Sequence, residues 1–475
     1  MEKTYKRKDV LKMAILASAA LYAKPLLGFN THLSQPPVAS AGVAYYRKGD
    51  ARYEELRKGF NKRIDKFPQV IAYCTSTLGV SEAVQYAGAT KLPVAIKSGG
   101  HCMEGFSCND GGIVINLSGL NKAALLHGET LVTGPGATLA NLYELLLPKG
   151  RIIPGGSCAG VGIGGLTLGG GYGVLGRKFG LTCDSLQEVT MVDGQGNIIS
   201  SANDQELLWA CRGGGNGNFG IITSMTFKTH PAPATLQSYR FKSFRVNTER
   251  ARNILQPWFA AVGKLPPACF SAYVLNGKTV YILLTNAETE DAAVADMVRR
   301  LSQISDKTTQ TKPQALAAAL KVFYGRQEPL YFKNASAGLY TNFDQIALCI
   351  DKAIEVVLAT PGMIYQVNTL GGNIQRLEFE AASAFPHRTY PYFSELQTYW
   401  ETPKQAPRLL ERFQQVQSIF AGQGISAQYR NYPDINFSNW EAAYFGNNYQ
   451  RLQQVKNKYD PDNTFRSEQS IRNSH

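Results

Sequence analysis

Two glycine-rich stretches in the first third of the chain limit what it can fold into and bind. One reads KSGGHCMEGFSC (Lys97–Cys108) and the other PGGSCAGVGIGGLTLGGGYG (Pro154–Gly173). Glycine has no Cβ, so such stretches let backbone approach a large ligand closely, and successive N–H groups can cradle a phosphate. His101 lies in the first stretch and Cys158 in the second. A ligand held by both would contact an imidazole and a thiol, although tight turns around a buried His and Cys are the simpler interpretation of either stretch alone.

The joint pattern is more specific than either stretch. SGGH, followed by GGSC-x-x-V-G-x-G-G and then GGGYG, resembles the FAD-linked oxidases of the vanillyl-alcohol oxidase superfamily. Within that superfamily it is similar to the berberine-bridge-enzyme-like group, which includes oligosaccharide oxidases. In those proteins the matching His is bonded to the flavin 8α-methyl group and the matching Cys to flavin C6. The resemblance therefore implies bicovalent FAD on His101 and Cys158.

The resemblance also implies a wider set of FAD-binding residues. Family members usually carry Arg where this chain has Lys97, so we expect a cation near a phosphate without the planar fork of Arg. No metal-ligand spacing is present. The FAD-binding set is Lys97, Ser98, Gly99, Gly100, Cys102, Gly105, Gly155, Gly156, Val161, Gly162, Gly164, Gly165, Gly170, Gly171, Tyr172, Gly173, Leu181, Gly220, Ile221, Asn447 and Asn448.

The element pattern predicts an α+β protein. Strand, helix, strand and Gly loop follow one another in the first part, with Ser81 as the predicted N-cap of the helix. After His230-Pro231-Ala232-Pro233, strands and helices indicate an antiparallel sheet with helices on one side, including a helix over 314–322. The C-terminal segment resembles that of the family. We therefore expect a PCMH-type two-part α/β FAD-binding domain over 42–235, a substrate domain of antiparallel sheet covered by helices over 236–435, and a segment over 436–475 that returns to complete the FAD-binding domain.

Two residues are candidates for proton transfer. A flavin that oxidises an alcohol needs a base within hydrogen-bond reach of the hydroxyl group. Residues 428–434 resemble the Y-x-N-Y-x-D strand of the family, which places the catalytic base on Tyr432 and a wall residue at Tyr429. A free Tyr titrates near 10, so its pKa would have to be lowered. The alternative is that both are half-buried strand aromatics in a chain with 24 Tyr.

A carboxylate stands above the flavin in some family members. FPHR resembles a family landmark, and aligning the following predicted strand, 392–399, on Gln397 places Glu395 there, on one face with Gln397 by period two. A solvated Glu395 is the equally open alternative. His387 is expected to be structural rather than catalytic.

The N-terminus reads as an export signal over residues 1–41. A basic region at Lys6, Arg7 and Lys8 precedes an apolar stretch that is too short to span a bilayer, and Ala39-Ser40-Ala41 is a potential cleavage site. The basic region resembles a twin-arginine consensus with Lys in the second position. An ordinary secretory signal or an uncleaved anchor is the alternative.

The composition limits the classes of partner that the protein is expected to bind. The net charge is +13, but Lys and Arg are dispersed without aromatic interleaving, so we expect no nucleic acid. The chain has eight Cys; Cys102 and Cys108 are close enough in sequence to pair locally. The sequence does not specify an oligomeric state.

We therefore expect an exported FAD-dependent oxidase that transfers hydride from an alcohol, with a sugar anomeric carbon favoured, and passes electrons to O2. In related proteins Val at the position of Val161 lets oxygen approach the flavin, whereas Leu tends to block it. Oxidation or dehydrogenation of a phenolic, benzylic or alkaloid-like secondary metabolite is an alternative, as is a non-catalytic flavoprotein. Residues 236–370, which match no family motif, would decide between the substrates.

Overall fold

The first lobe is a small mixed sheet with helices beside it. The computed structural model describes residues 42–288 and 292–474, so the predicted export signal lies outside the described residues. The sheet has the order β1-β2-β4-β3, with β2, β4 and β3 parallel and β1 antiparallel. Its elements are β1 (Val43–Tyr46), α1 (Tyr53–Arg57), β2 (Val70–Cys74), α2 (Thr77–Thr90), β3 (Val94–Lys97) and β4 (Ile113–Asn116).

The start of α2 corrects the predicted N-cap. The N-cap lies five residues earlier than expected, at Ser76, whose side chain accepts a hydrogen bond from the Gly79 N–H. Ser81 lies inside the helix, where its hydroxyl donates to the Gly196 carbonyl oxygen at 2.5 Å. Ser81 therefore joins the first lobe to the second instead of capping α2.

The second lobe is an antiparallel sheet of order β5-β6-β10-β8-β9, and β7 pairs with β11 beside it. The second glycine-rich stretch leaves β7 and includes the short helix α4. The strands are β5 (Ala123–Leu126), β6 (Thr130–Thr133), β7 (Arg151–Ile152), β8 (Leu186–Val192), β9 (Ile198–Ser200), β10 (Ile221–Lys228) and β11 (His230–Pro231). The helices are α3 (Leu139–Leu146), α4 (Ile163–Leu168), α5 (Gly176–Phe179) and α6 (Gln205–Cys211).

The third unit is the predicted antiparallel sheet, of order β15-β12-β14-β13-β18-β19-β17 with β16 paired to β12. One face packs on α7, α8, α10 and α12 around fully buried side chains such as Trp258 and Phe413. The strands are β12 (Thr235–Phe244), β13 (Cys269–Asn276), β14 (Thr279–Asn286), β15 (Lys307–Gln310), β16 (Gln314–Ala315), β17 (Tyr331–Tyr340), β18 (Met363–Thr369) and β19 (Tyr392–Trp400). The helices are α7 (Thr248–Val262), α8 (Ala292–Gln303), α9 (Leu316–Lys321), α10 (Ile350–Leu358), α11 (Leu377–Ala382) and α12 (Ala406–Gly422).

Two local predictions in this unit are wrong. The helix expected from Gln314 begins at Leu316, because Gln314 and Ala315 pair with β12. Residues 428–434 form no strand. They run beside β17, where the Ser336 N–H donates to the Tyr432 carbonyl oxygen at 2.8 Å, but the Ser336 hydroxyl accepts from Tyr429 N–H in place of a ladder bond. Pro433 has no N–H to continue the ladder.

The C-terminal segment returns to the second lobe through α13 (Trp440–Phe445) and α14 (Tyr449–Tyr459). The buried Lys456 ammonium donates to the Asn218 carbonyl oxygen at 2.8 Å and pairs with Asp460 at 2.5 Å. This confirms a two-part α/β domain completed by the C-terminal segment. Among the helices of residues 42–288 and 292–474, none combines the length and apolar character needed to cross a membrane.

Candidate active site

The two glycine-rich stretches, residues 97–105 and 154–173, pack against each other and are called the glycine cradle below. A Cβ added to Gly99 would lie 2.3 Å from the Gly162 nitrogen, and one added to Gly162 would lie 2.5 Å from Ser98 Oγ. Real side chains do not tolerate such distances, so this approach of two backbones requires glycine. The Ser98 hydroxyl donates to the Pro135 carbonyl oxygen at 2.6 Å and fixes the crossing.

The cradle brings His101 close to the Cys158 loop. The His101 ring stacks on Phe60 with centroids 4.6 Å apart, and its Nε2 lies 3.1 Å from the position of a Cβ on Gly160. Burial lowers the pKa of His101 to about 4, so the imidazole is neutral at neutral pH. The Cys158 side chain is exposed on the same loop. A neutral imidazole and an accessible thiol beside a glycine-lined surface suit a large, planar cofactor held by two bonds.

The predicted FAD-binding residue Lys97 has hydrogen-bond partners within the protein, whereas Cys102 is a free thiol. The Lys97 ammonium donates to the carbonyl oxygens of Leu56, at 2.6 Å, and Lys58, and burial lowers its pKa to about 8. Lys97 therefore secures the chain after α1, and its contact with phosphate stays a prediction. Cys102 and Cys108 are both free thiols, so the local pairing considered from the sequence is not present.

In the second half of the cradle, several glycines have backbone conformations or close contacts that any other residue would adopt only with strain. Gly170 and Gly171 have φ of 111° and 82°, and a Cβ on Gly173 would lie 2.1 Å from the Gly155 carbonyl oxygen. The Gly171 N–H donates to the Tyr429 hydroxyl at 3.0 Å, which ties the cradle to the segment after α12.

The other predicted FAD contacts are spread around this centre, and their role toward FAD stays a prediction. Asn448 lies on the C-terminal segment and donates to the Ala384 carbonyl oxygen at 3.1 Å, while Asn447 is exposed. Those with structural contacts of their own are Gly100, Gly105, Gly156, Gly164, Gly165, Leu181, Gly220 and Ile221.

Tyr432, Tyr172 and Glu395 lie close together in the site. Burial, followed by the charge of Glu395, raises the pKa of Tyr172 well above 10. The Tyr432 ring lies 6.2 Å from the Tyr172 ring and 5.4 Å from the Phe393 ring. Tyr432 and Glu395, both predicted above the flavin, therefore lie near Tyr172, which was expected only to bind FAD.

Burial changes the pKa values of both Tyr432 and Glu395. Burial, followed by the nearby Tyr172 and Glu395, raises the pKa of Tyr432 well above 10. The lowered pKa that a Tyr base would need is therefore not provided. Burial also raises the pKa of Glu395, against the opposing effect of hydrogen bonds from Asn334 and Asn368.

Glu395 belongs to a polar surface, called the amide wall below, on the face of the large sheet opposite its helices. Neighbouring strands place these side chains opposite one another, as for Asn334 with Gln397 and Gln366 with Glu395. Asn334 and Asn368 each donate to Glu395 at 3.1 Å. The wall consists of Asn334, Gln366, Asn368, Glu395, Gln397 and Tyr399.

The wall has unused hydrogen-bonding capacity. Asn334 is 7% exposed, and its Oδ1 has no partner among the described residues. A buried polar atom without a partner is costly and calls for a ligand or water. Apart from Glu395 and Gln397, sequence reasoning missed these residues. The signal available was the polar alternation N-x-S, Q-x-N and E-x-Q along three strands at period two.

A glycine cradle with a neutral imidazole and an exposed thiol, beside a group of Tyr172, Tyr432 and the sheet residue Glu395, is typical of a two-domain FAD-dependent oxidoreductase. Residues 68–202 match the FAD binding domain family and residues 428–472 the family described as berberine and berberine like. The chain is 31% identical to the uncharacterized FAD-linked oxidoreductase YvdP of Bacillus subtilis (strain 168), over 89% of this chain and 96% of that protein. It is 27% identical to the chitooligosaccharide oxidase of Gibberella zeae, over 94% and 98% of the two chains.

A solved structure has a similar fold. The crystal structure of aclacinomycin oxidoreductase superposes with a TM-score of 0.82 at 25% identity, covering 91% of this chain and all of that one (100%). The chain belongs to the berberine-bridge-enzyme-like FAD-linked oxidoreductases of the vanillyl-alcohol oxidase superfamily.

Proposed function

We propose that this FAD-dependent oxidoreductase oxidises an alcohol carbon of a carbohydrate, with the anomeric carbon favoured, and passes the electrons to O2 to give hydrogen peroxide. The amide wall carries this proposal. Uncharged amide groups, one with an unpartnered oxygen, match the several hydroxyl groups of a sugar. An apolar polycycle at the same wall would leave those groups desolvated without partners, which costs about 1–3 kcal/mol each. The similarity to a chitooligosaccharide oxidase supports the same substrate class.

The cofactor in this proposal is FAD bonded to both His101 and Cys158. Their placement on adjoining loops of the cradle supports dual attachment, since the imidazole is neutral and the thiol is accessible. FAD, when bound, supplies the hydride acceptor.

The chain's own residues handle the proton. As hydride leaves the carbinol carbon, the substrate hydroxyl gives its proton to the Tyr432 oxygen. Tyr432 passes its own proton to Tyr172, and Tyr172 passes one to the Glu395 carboxylate, which ends neutral. A relay of this kind needs no free tyrosinate, and that suits a Tyr432 whose pKa burial raises well above 10. The raised pKa of Glu395 makes it the better final proton acceptor.

The proposal that O2 is the electron acceptor depends on Val161. Val161 is partly buried in the cradle, three residues after Cys158, and its carbonyl oxygen accepts from the Leu139 N–H at 3.0 Å. A Val161→Leu enzyme should be reduced by substrate at the wild-type rate and reoxidised by air much more slowly. A wild-type reduced flavin that is stable in air would make the protein a dehydrogenase.

An aromatic cluster favours a second candidate, the oxidation of an aromatic secondary metabolite. Tyr172, Phe393, Tyr429 and Tyr432 lie with ring centroids 5.2 to 6.2 Å apart beside the wall. The similarity to aclacinomycin oxidoreductase agrees with such a substrate.

A substrate panel separates the two candidates. The holoenzyme is given three groups of substrates in air. These are mono- and oligosaccharides, matched methyl glycosides with the anomeric hydroxyl blocked, and phenolic or benzylic alcohols. Peroxide release with free sugars and none with their methyl glycosides is the expected result. Peroxide with the aromatic alcohols alone would replace the sugar proposal by the second candidate.

Dual attachment has its own test. Wild-type protein should keep its FAD after denaturation, as should His101→Ala and Cys158→Ala, whereas the double variant should release it. Release of FAD from denatured wild type would show that neither bond forms.

Export is part of the proposal and rests on the basic and apolar residues of segment 1–41. Fractionation of the native host, with and without residues 1–41, tests it. Wild-type protein that stays in the cytoplasm would contradict it.

A further inference from the structure

A chain of buried ion pairs crosses from the glycine cradle to the Tyr432 segment. Lys333 Nζ lies 2.9 Å from Glu104 Oε1 and 2.8 Å from Asp434 Oδ1, and all three side chains are at most 5% exposed. Arg63 Nη2 completes the chain at 2.9 Å from Glu104 Oε2. Two cations and two carboxylates balance in charge, which is the condition for burying them.

Each carboxylate belongs to a segment that carries the proposed chemistry. Glu104 follows His101 by three residues, and Arg63 also donates to the neighbouring Met103 carbonyl oxygen at 2.9 Å. Asp434 follows Tyr432 by two residues, with Pro433 between them. Because a proline ring restricts φ, the position of the Asp434 carboxylate constrains the Tyr432 backbone.

Lys333 belongs to a third element, strand β17. Successive residues of a strand point to opposite faces, so its neighbour Asn334 lies in the amide wall while Lys333 reaches the ion-pair chain. Its other neighbour, Phe332, lies 6.0 Å from Phe60, which stacks on His101. Strand β17 thus contacts the wall, the His101 loop and the Tyr432 segment at once.

We infer that Lys333 is a positioning residue for the reaction: its single ammonium group joins the His101 loop and the Tyr432 segment to β17, and so fixes flavin attachment, substrate wall and proton acceptor relative to one another. This inference rests on the proposed function. Buried ion pairs add little net stability compared with apolar side chains, and their best-attested use is to fix geometry. Here one cation joins two segments more than 300 residues apart, at Glu104 and Asp434.

The central test is the double variant Lys333→Met/Asp434→Asn in the full-length holoenzyme. Lys333→Met alone would leave Asp434 as a buried carboxylate without a cation and confuse misfolding with misplacement; the double variant removes both charges and keeps the shapes. Anaerobic reduction of the flavin by sugar should be roughly 10- to 100-fold slower, the cost of misplacement by about 1 Å. The half-saturating sugar concentration should change little, since the wall is intact.

Two further variants separate geometry from stability. Lys333→Arg keeps a cation that can contact both carboxylates and should restore most of the rate. Lys456→Met breaks a pair of the same chemistry, Lys456 with Asp460, both 0% exposed. It should lower the melting temperature without changing the rate of flavin reduction.

A substrate-independent measurement keeps the inference separable from the proposed function. In a Cys158→Ala background, where attachment depends on His101 alone, the double variant should retain less flavin after denaturation and should alter the visible circular dichroism of bound FAD. An inert parent enzyme would reject the sugar proposal and leave these two measurements to decide the role of Lys333. If the double variant matches its parent in reduction rate, retained flavin and dichroism, Lys333 merely balances charge and the inference is overturned.

Discussion

The glycine cradle and the amide wall face each other across the site but are built in opposite ways. The cradle is shaped by backbone, and its close contacts exclude even a Cβ, as at Gly99 and Gly162. The wall is shaped by side chains on three adjacent strands, with one amide oxygen left free at Asn334. The cradle therefore tolerates almost no change in volume, whereas the side chains of the wall can change on an unchanged sheet.

The cradle should therefore give the largest effect. Gly162→Ala places a Cβ 2.5 Å from Ser98 Oγ and 2.6 Å from the Gly99 nitrogen, so the two loops must separate. We expect loss of bound FAD and of all activity, with stability lowered by about 1–3 kcal/mol. Flavin absorbance per chain and thermal unfolding measure both. Gly88→Ala is the control: nothing lies within 4 Å of its Cβ, and it should slightly stabilise α2. A yellow, active Gly162→Ala enzyme would show that the cradle is not tight.

The proposed proton relay involves residues of both regions and should give the next largest effect. Tyr432→Phe removes the first proton acceptor and should slow flavin reduction roughly 100- to 10,000-fold, with little change in substrate binding. Glu395→Gln removes the final acceptor but leaves Tyr432 in contact with substrate, so its effect should be smaller. Anaerobic stopped-flow reduction measures both. Tyr365→Phe, fully buried on the helix side of the sheet, should behave as wild type. A near-normal Tyr432→Phe with an inactive Glu395→Gln would assign the proton directly to Glu395.

The amide wall should respond in binding rather than in chemistry. Asn334→Ala removes an amide proposed to bond a sugar hydroxyl and should raise KM for sugars roughly 5- to 100-fold, from about 1–3 kcal/mol per lost hydrogen bond. Thr398→Val, on the opposite face of β19, is the matched control. Steady-state kinetics with the best sugar checks both. Equal KM values for the two variants would remove Asn334 from the substrate site.

The smallest effect concerns stability and pH. Burial raises the pKa of Glu395, so the folded protein keeps a proton at pH values where the unfolded chain has released it. The free energy of unfolding therefore falls as pH rises from the ordinary carboxyl pKa of about 4.3 through the raised pKa. Glu395→Gln has no proton to lose and should flatten that part of the profile. Thermal unfolding of the FAD-free proteins across pH measures the difference. Parallel profiles for the two proteins would contradict the raised pKa.

Contiguous motifs gave the most specific predictions. His101, Cys158 and the glycines around them were assigned from adjacent letters, because a backbone cradle needs runs of glycine. Glu395 was assigned by aligning its strand on Gln397, and Tyr432 by its motif; their roles stay predictions. The expected strand at residues 428–434 was wrong because Pro433 and the Ser336 hydroxyl interrupt the ladder, a feature that a sequence motif does not express.

Glycine patterns, strand alternation and short motifs were enough to predict the α+β class and an FAD-binding domain, because these features are local in the sequence. The neighbours within the site depend on the tertiary structure. Asn334 and Glu395 are 61 residues apart, Tyr172 and Tyr432 come from different domains, and Lys333 meets Glu104 across 229 residues. Such neighbours are set by strand register and domain packing, where burial shifts each pKa and a one-residue slip would turn every wall side chain to the other face.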